Sequence, residues 1–211
     1  MIRKRVVGWG AAAALAALLC LPLMGWATPG DQIRETFEQV IKILSNPDLK
    51  PAEKAKERRA AIREVVGRRF NFAEMARRSL ATHWRDRTPA EQVDFVRLFT
   101  DLMEYAYIDK VERLSAEKIL YAGETLEGDQ AIVRTRLVTN KQLQFPIDYR
   151  LALANGRWEV YDVAIEGISL INEYRIQFNK IVRTKSYGEL VRLMKAKQGS
   201  QNLEAREGST K

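Results

Sequence analysis

The segment TPAEQVDFVRLFTDLMEYAYIDKVERL, residues 88–114, carries more apolar surface than one face of a helix can bury. Thr88, Pro89 and Glu91 predict the start of a helix, because Thr and Glu at this spacing form a capping box and proline suits the first helical position. At 100° per residue, the central polar side chains occupy an arc of roughly 120° and apolar side chains fill most of the rest. A surface helix needs an apolar stripe only somewhat wider than about 100°. We therefore expect the helix over 89–113 to be covered on two sides.

An antiparallel sheet is predicted to follow this helix. The strands are expected at about 117–125, 130–139, 144–154 and 157–165. Asn155-Gly156 is a strong signal for a two-residue hairpin, and such short connections imply antiparallel neighbours. In the third strand, Phe145, Ile147 and Tyr149 alternate with other residues and point to one side. The sheet therefore has one strongly apolar face.

Helical patterns flank the sheet on both sides in the sequence. They cover residues 31–45, 51–69, a short stretch capped by Asn71, a helix opened by Gly167 and a last helix that starts with a Ser186–Glu189 capping box. We predict an α+β fold with helices wrapped around a four-stranded antiparallel sheet, an NTF2-like cone enclosing an apolar cavity. The expected organisation is a signal peptide (1–27), one domain (28–198) with a helical part (28–115), a sheet (116–166) and closing helices (167–198), and a disordered tail (199–211).

The first 27 residues have the pattern of a secretory signal peptide. Arg3, Lys4 and Arg5 precede an apolar stretch, and Gly25-Trp26-Ala27 fits a cleavage site. Cys20 raises the alternative of a lipoprotein, but the residue before it is a large leucine and the apolar run continues beyond it. Cleavage after Ala27 leaves a chain without cysteine, so redox chemistry and thiolate metal sites are excluded.

Positive charge is concentrated in residues 50–87, which hold twelve Lys or Arg against five Asp or Glu. We expect this segment to dock acidic partners, with Arg58, Arg59 and Arg63 as candidate contacts. The alternative is a solvated basic face without a partner. Nucleic acid is not expected as a partner of an exported protein.

Catalytic motifs are absent from the sequence. His83 is the only histidine, so a site with several imidazole metal ligands cannot be built. An enzyme acting on an apolar substrate would need a polar group in the cavity, such as Asp148, Asp162 or His83. We expect no catalytic residue, no metal and no cofactor.

Two stretches resemble a known family. HWRDRTPAEQVDFVRLFTDLMEYAY (83–107) and RWEVYDVAIEGISLINEYRIQFNKIVRTKSYGELVRLMKAK (157–197) are similar to the MlaC family, also called the toluene-tolerance (Ttg2D) family. The resemblance implies a periplasmic phospholipid carrier that maintains outer-membrane lipid asymmetry. Its implied partners are an outer-membrane lipoprotein–porin complex and an inner-membrane ABC transporter with an MCE-domain subunit. A hopanoid-associated branch of the family, an enzyme on the same fold and an adaptor with a filled core remain alternatives.

The facing pattern of the helices and strands supplies candidates for the lipid pocket. They are Phe99, Leu102, Met103, Tyr105, Val133, Ile147, Tyr149, Ile168, Ile171, Tyr174 and Phe178. Tyr149, Ile171, Tyr174 and Phe178 are predicted to point towards one cavity. Arg175, at the edge of the same helix face, is the candidate for contact with a headgroup phosphate. The same pattern is compatible with an ordinary packed core.

The exported protein is expected to begin near Thr28, because the basic, apolar and small-residue regions occur in the order that signal peptidase requires. N-terminal sequencing of the exported protein measures this directly. A chain that begins at Met1, or a lipid attached to Cys20, would contradict the prediction.

Overall fold

The computed structural model describes residues 27–112, 118–139 and 141–207, and of residues 200–207 it describes only the backbone. Signal-peptide residues 1–26, the predicted boundary at 115–116 and tail residues 208–211 therefore lie outside the described residues. Within the described part of the chain, no helix combines the length and apolar character that crossing a membrane requires.

Six α-helices make up the helical part of the described chain. They are α1 (Pro29–Ser45), α2 (Ala55–Arg69), α3 (Phe72–Leu80), α4 (Pro89–Glu112), α5 (Leu170–Thr184) and α6 (Tyr187–Glu207), with 3₁₀ turns at Pro47–Leu49, Ala52–Lys54 and Ala81–Trp84. The Thr88–Glu91 capping box is present, with backbone N–H to side-chain oxygen distances of 2.8 and 3.2 Å. The backbone of α6 runs past Gly199, where a disordered tail was predicted, because residues 200–207 contain no proline and include good helix formers.

Five strands form one antiparallel sheet in the order β1-β2-β3-β4-β5. They are β1 (Lys118–Glu127), β2 (Gln130–Val138), β3 (Gln144–Ala154), β4 (Arg157–Ile165) and β5 (Ile168–Ser169). The α+β class is confirmed, but the prediction of four strands is wrong and an NTF2-like cone is not confirmed. Glu166 and Gly167, at φ 51° and 80°, reverse the chain so that Ile168 pairs with Ile165. The glycine therefore closes a hairpin, and α5 begins three residues later than expected.

The apolar face of the sheet packs beneath α1. Tyr149 of β3 lies opposite Val133 of β2 and Val163 of β4. Ile33 of α1 is buried against this face, and Phe37 meets Tyr149 edge-on with 5.7 Å between ring centroids. The period-2 alternation of the strands thus creates the one-sided sheet that the sequence predicted.

One side of α4 belongs to a second core, which it shares with α3, α5 and α6. Phe95 and Phe99 have no exposed surface, and the Phe99 ring lies 5.8 Å from Tyr174 and 6.4 Å from Phe178. Edge-to-face pairs at such distances add to the stabilisation that area burial provides. These aromatic side chains fill the space between α4 and α5.

Asp162 of β4 fixes the position at which α5 starts. Its Oδ2 accepts hydrogen bonds from Arg150 Nη1 and Ser169 Oγ, each at 2.6 Å, and its Oδ1 accepts one from the Ile171 backbone N–H at 3.1 Å. Ser169 in turn caps the helix by accepting from the Asn172 N–H at 3.0 Å. The side chain of Asp162 is almost fully buried, so these bonds replace water as its partners.

Replacing Asp162 with alanine is expected to lower the free energy of unfolding by about 2–3 kcal/mol, because the Ile171 N–H and the Ser169 hydroxyl lose a buried acceptor. Denaturant unfolding measures the change. Asp129→Ala, at an exposed position in the β1–β2 turn, is the matched control and should change stability by less than about 0.5 kcal/mol. Equal stability of the two variants would show that Asp162 does not anchor the helix.

An apolar cavity as the candidate functional site

A cavity of about 430 Å³ lies between the apolar face of the sheet and helices α1, α2 and α4. This volume is in the range of about 300–1,000 Å³ that is typical of small-molecule sites. Its apolar wall includes Ile33, Phe37, Val40, Ile62, Val66, Phe70, Phe72, Met75, Met103, Ile108, Val111, Ile119, Leu137, Phe145, Ile147, Val163, Ile165 and Leu170. The sheet and the helices therefore do not close on each other completely.

The second side of α4 forms part of this wall. Thr100, Met103, Tyr107 and Ile108 face the cavity, whereas Phe95 and Phe99 face the aromatic core. As predicted, this helix has other elements on two sides, but the two sides are covered differently. One side is covered by close-packed side chains, and the other borders open space.

The cavity is closed at one end and open at the other. Along β2, Thr135 is buried whereas Leu137 and Thr139 are half-buried. Along β4, Val163 is half-buried and Ile165 is 36% exposed. On α4 the wall passes from buried Met103 to exposed Lys110. The open end therefore lies where β2 ends, β3 begins and β4 ends.

The hydroxyl groups on the wall are mostly engaged with nearby backbone. Thr100 donates to the Val96 carbonyl at 2.8 Å, and Thr135 donates to the Ile147 carbonyl at 3.0 Å. Burial raises the pKa of Tyr107 and that of Tyr149, so both phenols stay protonated at neutral pH. The interior of the cavity thus presents no phenolate charge. Among the described hydroxyl groups of the wall, Thr139 Oγ1 is the one that is buried without a hydrogen-bond partner.

Charged groups line the cavity on its α2 and α4 side. Arg63 forms an ion pair with Glu104, and Lys110 is exposed. Neighbouring arginines of α2 are held in the same way. Arg58 contacts Glu112 at 2.9 Å, and Arg59 contacts both Glu112 at 2.9 Å and Asp109 at 3.0 Å.

The three candidate docking arginines were expected to contact a partner protein, and each of them forms an ion pair within this chain. Arg58, Arg59 and Arg63 all pair with carboxylates of α4, so much of their charge is neutralised within the chain. Together the pairs join α2 to α4 along one side of the cavity. Replacing these arginines with glutamate would place like charges against α4 and disturb the fold as well as any partner surface.

The pocket candidates are divided between the cavity and other places. Met103, Ile147 and Tyr149 line the cavity. The other candidates are elsewhere: Phe99, Leu102, Ile171, Tyr174 and Phe178 in the helical core, Val133 in the sheet core beside the cavity, Tyr105 at 41% exposure, and Ile168 at 61% exposure. Tyr149, Ile171, Tyr174 and Phe178 therefore do not point towards one cavity, because α5 directs its apolar face at α4 and only Leu170 reaches the wall.

The remaining polar candidates lie away from the cavity wall. His83 Nε2 is 3.0 Å from Asn179 Oδ1, Asp162 holds the start of α5, and Asp148 is on the opposite face of β3 from Tyr149. Arg175 donates to Asn172 Oδ1 at 2.6 Å and does not line the cavity. Among the described residues, no group of three or more His, Cys, Asp or Glu could hold a metal ion.

Sequence reasoning missed the contributions of α1 and α2 to the wall. The apolar spacing of residues 31–45 and 51–69 predicts helices, but nothing in that spacing shows that Phe37, Val40, Ile62 and Val66 face a cavity. The cavity requires the sheet and three helices together, and the sequence specifies only the apolar stripe of each.

The chain is therefore an α+β protein in which a helical layer covers one apolar face of an antiparallel sheet. The cavity between the two layers is open at one end and can enclose apolar groups. The family model described as MlaC protein matches residues 34–196, and the chain belongs to the MlaC family. A solved structure of a phospholipid-binding protein from Ralstonia solanacearum in complex with a phospholipid is similar in fold. The TM-score is 0.72 at 20% sequence identity, and the match covers 81% of this chain and 97% of that chain.

Glu112 is expected to stabilise the protein above its ordinary pKa of 4.5. Burial by itself would raise the pKa of Glu112, but hydrogen bonds and charge from Arg59 and Arg58 outweigh it and lower the pKa. Glu112→Gln should therefore reduce the free energy of unfolding by about 1–2 kcal/mol at neutral pH. The deficit should shrink as the pH falls below 4.5 through the lowered pKa, because wild type then loses the same charge.

Denaturant unfolding across this pH range measures the difference between the two proteins. Glu127→Gln, at an exposed position on β1, is the control and should show little deficit at any pH. A deficit for Glu112→Gln that does not depend on pH would rule out the ion pairs as its source.

Proposed function

We propose that this protein is a periplasmic phospholipid carrier that holds the acyl chains of its cargo in the cavity between the sheet and α4. The observation that carries the proposal is the one-ended apolar cavity. Family membership and the fold shared with a protein solved in complex with a phospholipid support it. The same neighbour favours a phospholipid over a hopanoid as the cargo.

The energetics suit transport without a covalent step. About thirty chain methylenes at about 0.8 kcal/mol each would make exposure of two acyl chains to water cost on the order of 20 kcal/mol. A bilayer removes the same methylenes from water equally well. A carrier therefore needs only to bind the acyl chains about as favourably as the bilayer does. An apolar wall on which the Thr100 and Thr135 hydroxyls donate to backbone carbonyls gives a comparable environment.

The open end of the cavity sets the orientation of the cargo. Chains would enter past Leu137, Phe145 and Ile165 and extend towards the buried end near Tyr149. The headgroup would then remain in solvent beside the open end, where Lys110 is an exposed cation of the wall. This replaces the proposal that Arg175 contacts the headgroup.

Membership of the MlaC family supports a route for the cargo between the two membranes. The carrier would exchange phospholipid between an outer-membrane lipoprotein–porin complex and the MCE-domain subunit of an inner-membrane ABC transporter. It would thereby help maintain the lipid asymmetry of the outer membrane. A cleaved signal peptide would place it in the periplasm between the two complexes.

Extraction of folded protein with organic solvent, followed by lipid analysis, tests the cargo. Protein purified without detergent is expected to contain a phospholipid with two acyl chains. Absence of lipid from independent preparations would favour an adaptor with an empty or collapsed cavity.

A tryptophan at Leu137 should block the cavity near its open end. Leu137→Trp is expected to lower the amount of co-purified phospholipid several-fold while costing less than about 1 kcal/mol of stability, since the cavity receives the added volume. Native mass spectrometry and the thermal midpoint measure the two effects. Leu126→Trp, at an exposed position on β1, is the matched control and should retain full lipid. Full lipid in both variants would show that the cavity does not hold the chains.

A further inference from the structure

A second pocket, of about 300 Å³, lies on the opposite side of the sheet from the apolar cavity. Tyr149 and Val163 are paired and line the cavity, whereas the adjacent pair, Arg150 and Asp162, lines the second pocket. Successive residues of a strand point to opposite faces, so the sheet separates the two spaces. The same division occurs at the start of α5, where Leu170 lines the cavity and Ile171 lines the second pocket.

Three arginines from three different elements line this second pocket, which we call the arginine pocket. Arg78 comes from α3, Arg150 from β3 and Arg175 from α5. Asp162 is the one carboxylate in its lining, and it is already engaged by Arg150, by Ser169 and by the backbone of α5. The arginine pocket therefore carries more positive than negative charge.

Neighbouring carboxylates compensate this charge only in part. Glu74 is shared, since it accepts from both Arg77 and Arg78 at 2.6–2.7 Å. Arg175 donates a hydrogen bond to the neutral side chain of Asn172, at 2.6 Å, and not to a carboxylate. Because a single carboxylate faces three guanidinium groups in the lining, an added anion would reduce the repulsion that remains between them.

The geometry of the donors also suits an oxyanion. Each guanidinium carries five N–H donors in a planar fork, of which the contacts above use a minority, and such forks match phosphate oxygens well. Asn172 accepts from Arg175 through its Oδ1, which leaves its amide NH₂ as a further donor. Arg78 is held over the Tyr161 ring, 3.9 Å from the ring centroid, so its position at the edge of the pocket is restrained.

We propose that the arginine pocket binds a phosphate group, as free phosphate or as the phosphodiester of a headgroup, at a site separate from the apolar cavity. The chains of a lipid in the cavity would lie against the other face of the sheet, and its own headgroup would leave at the open end of the cavity. The ligand of the arginine pocket is thus a second molecule. The site does not depend on the lipid cargo, and its failure would leave the proposed carrier function intact.

Titration of the ¹⁵N-labelled full mature protein with two probes tests this site. The probes are inorganic phosphate and glycerophosphoglycerol, which carries a headgroup phosphodiester without acyl chains, each at constant ionic strength against chloride. The arginine Nε–Hε signals in NMR spectra report binding, and thermal midpoints report the stabilisation that a bound ligand gives. We expect a saturable response to at least one probe. Phosphate alone would identify free phosphate as the ligand class, and glycerophosphoglycerol alone would identify a headgroup.

Arg175→Gln is the decisive variant, because Arg175 is exposed and its removal leaves Asp162 and its partners in place. Loss of one charge-assisted fork is expected to weaken probe binding about tenfold. Arg183→Gln, at an exposed position of the same helix, is the matched control and should bind as wild type does. Co-purified lipid should be unchanged in both variants. No saturable response to either probe, or the same loss in both variants, would overturn the proposal.

Discussion

The apolar surface of α4 is the constraint on which the rest of the structure depends. A helix with apolar side chains around most of its circumference cannot be buried by a single neighbour. The chain resolves this by placing α4 between two environments, an aromatic core formed with α3, α5 and α6 and a cavity formed with α1, α2 and the sheet. The first environment supplies rigidity to the helix, and the second leaves apolar surface available to a ligand.

Asp162 fixes where α5 begins, and so how that helix is placed relative to these two environments. A buried carboxylate must be fully hydrogen-bonded, and this one is satisfied by Arg150, Ser169 and the first turn of α5. Because the start of α5 is held against β4, Leu170 is directed to the cavity, and Ile171 is buried in the helical core where that core borders the arginine pocket. Asp162 therefore has an architectural role, in which it positions the neighbouring cavity residues Val163 and Leu170 without itself lining the cavity.

The arginines differ in how far nearby carboxylates neutralise their charge. The basic segment 50–87 predicted an exposed docking surface, yet Arg58, Arg59 and Arg63 pair with α4 and join two walls of the cavity. Positive charge is incompletely compensated in the arginine pocket, which Arg78, Arg150 and Arg175 line from three different elements. Net charge is a property of the sequence, but its availability depends on which carboxylates the fold brings near.

The sequence by itself determined the helices, four of the strands and the Asn155-Gly156 hairpin turn, because periodicity, caps and turn dipeptides act over a few residues. It did not show the short fifth strand or the hairpin turn at Glu166-Gly167. It also showed that the sheet has one apolar face and that α4 has other parts of the fold on two of its sides. It did not show that Met103, Ile147 and Tyr149 line a cavity while Phe99 and Phe178 fill a core, since all five are apolar residues on apolar faces. That division was decided by the tertiary structure, because a gap exists only where the curvature of the sheet and the placement of three helices prevent close packing.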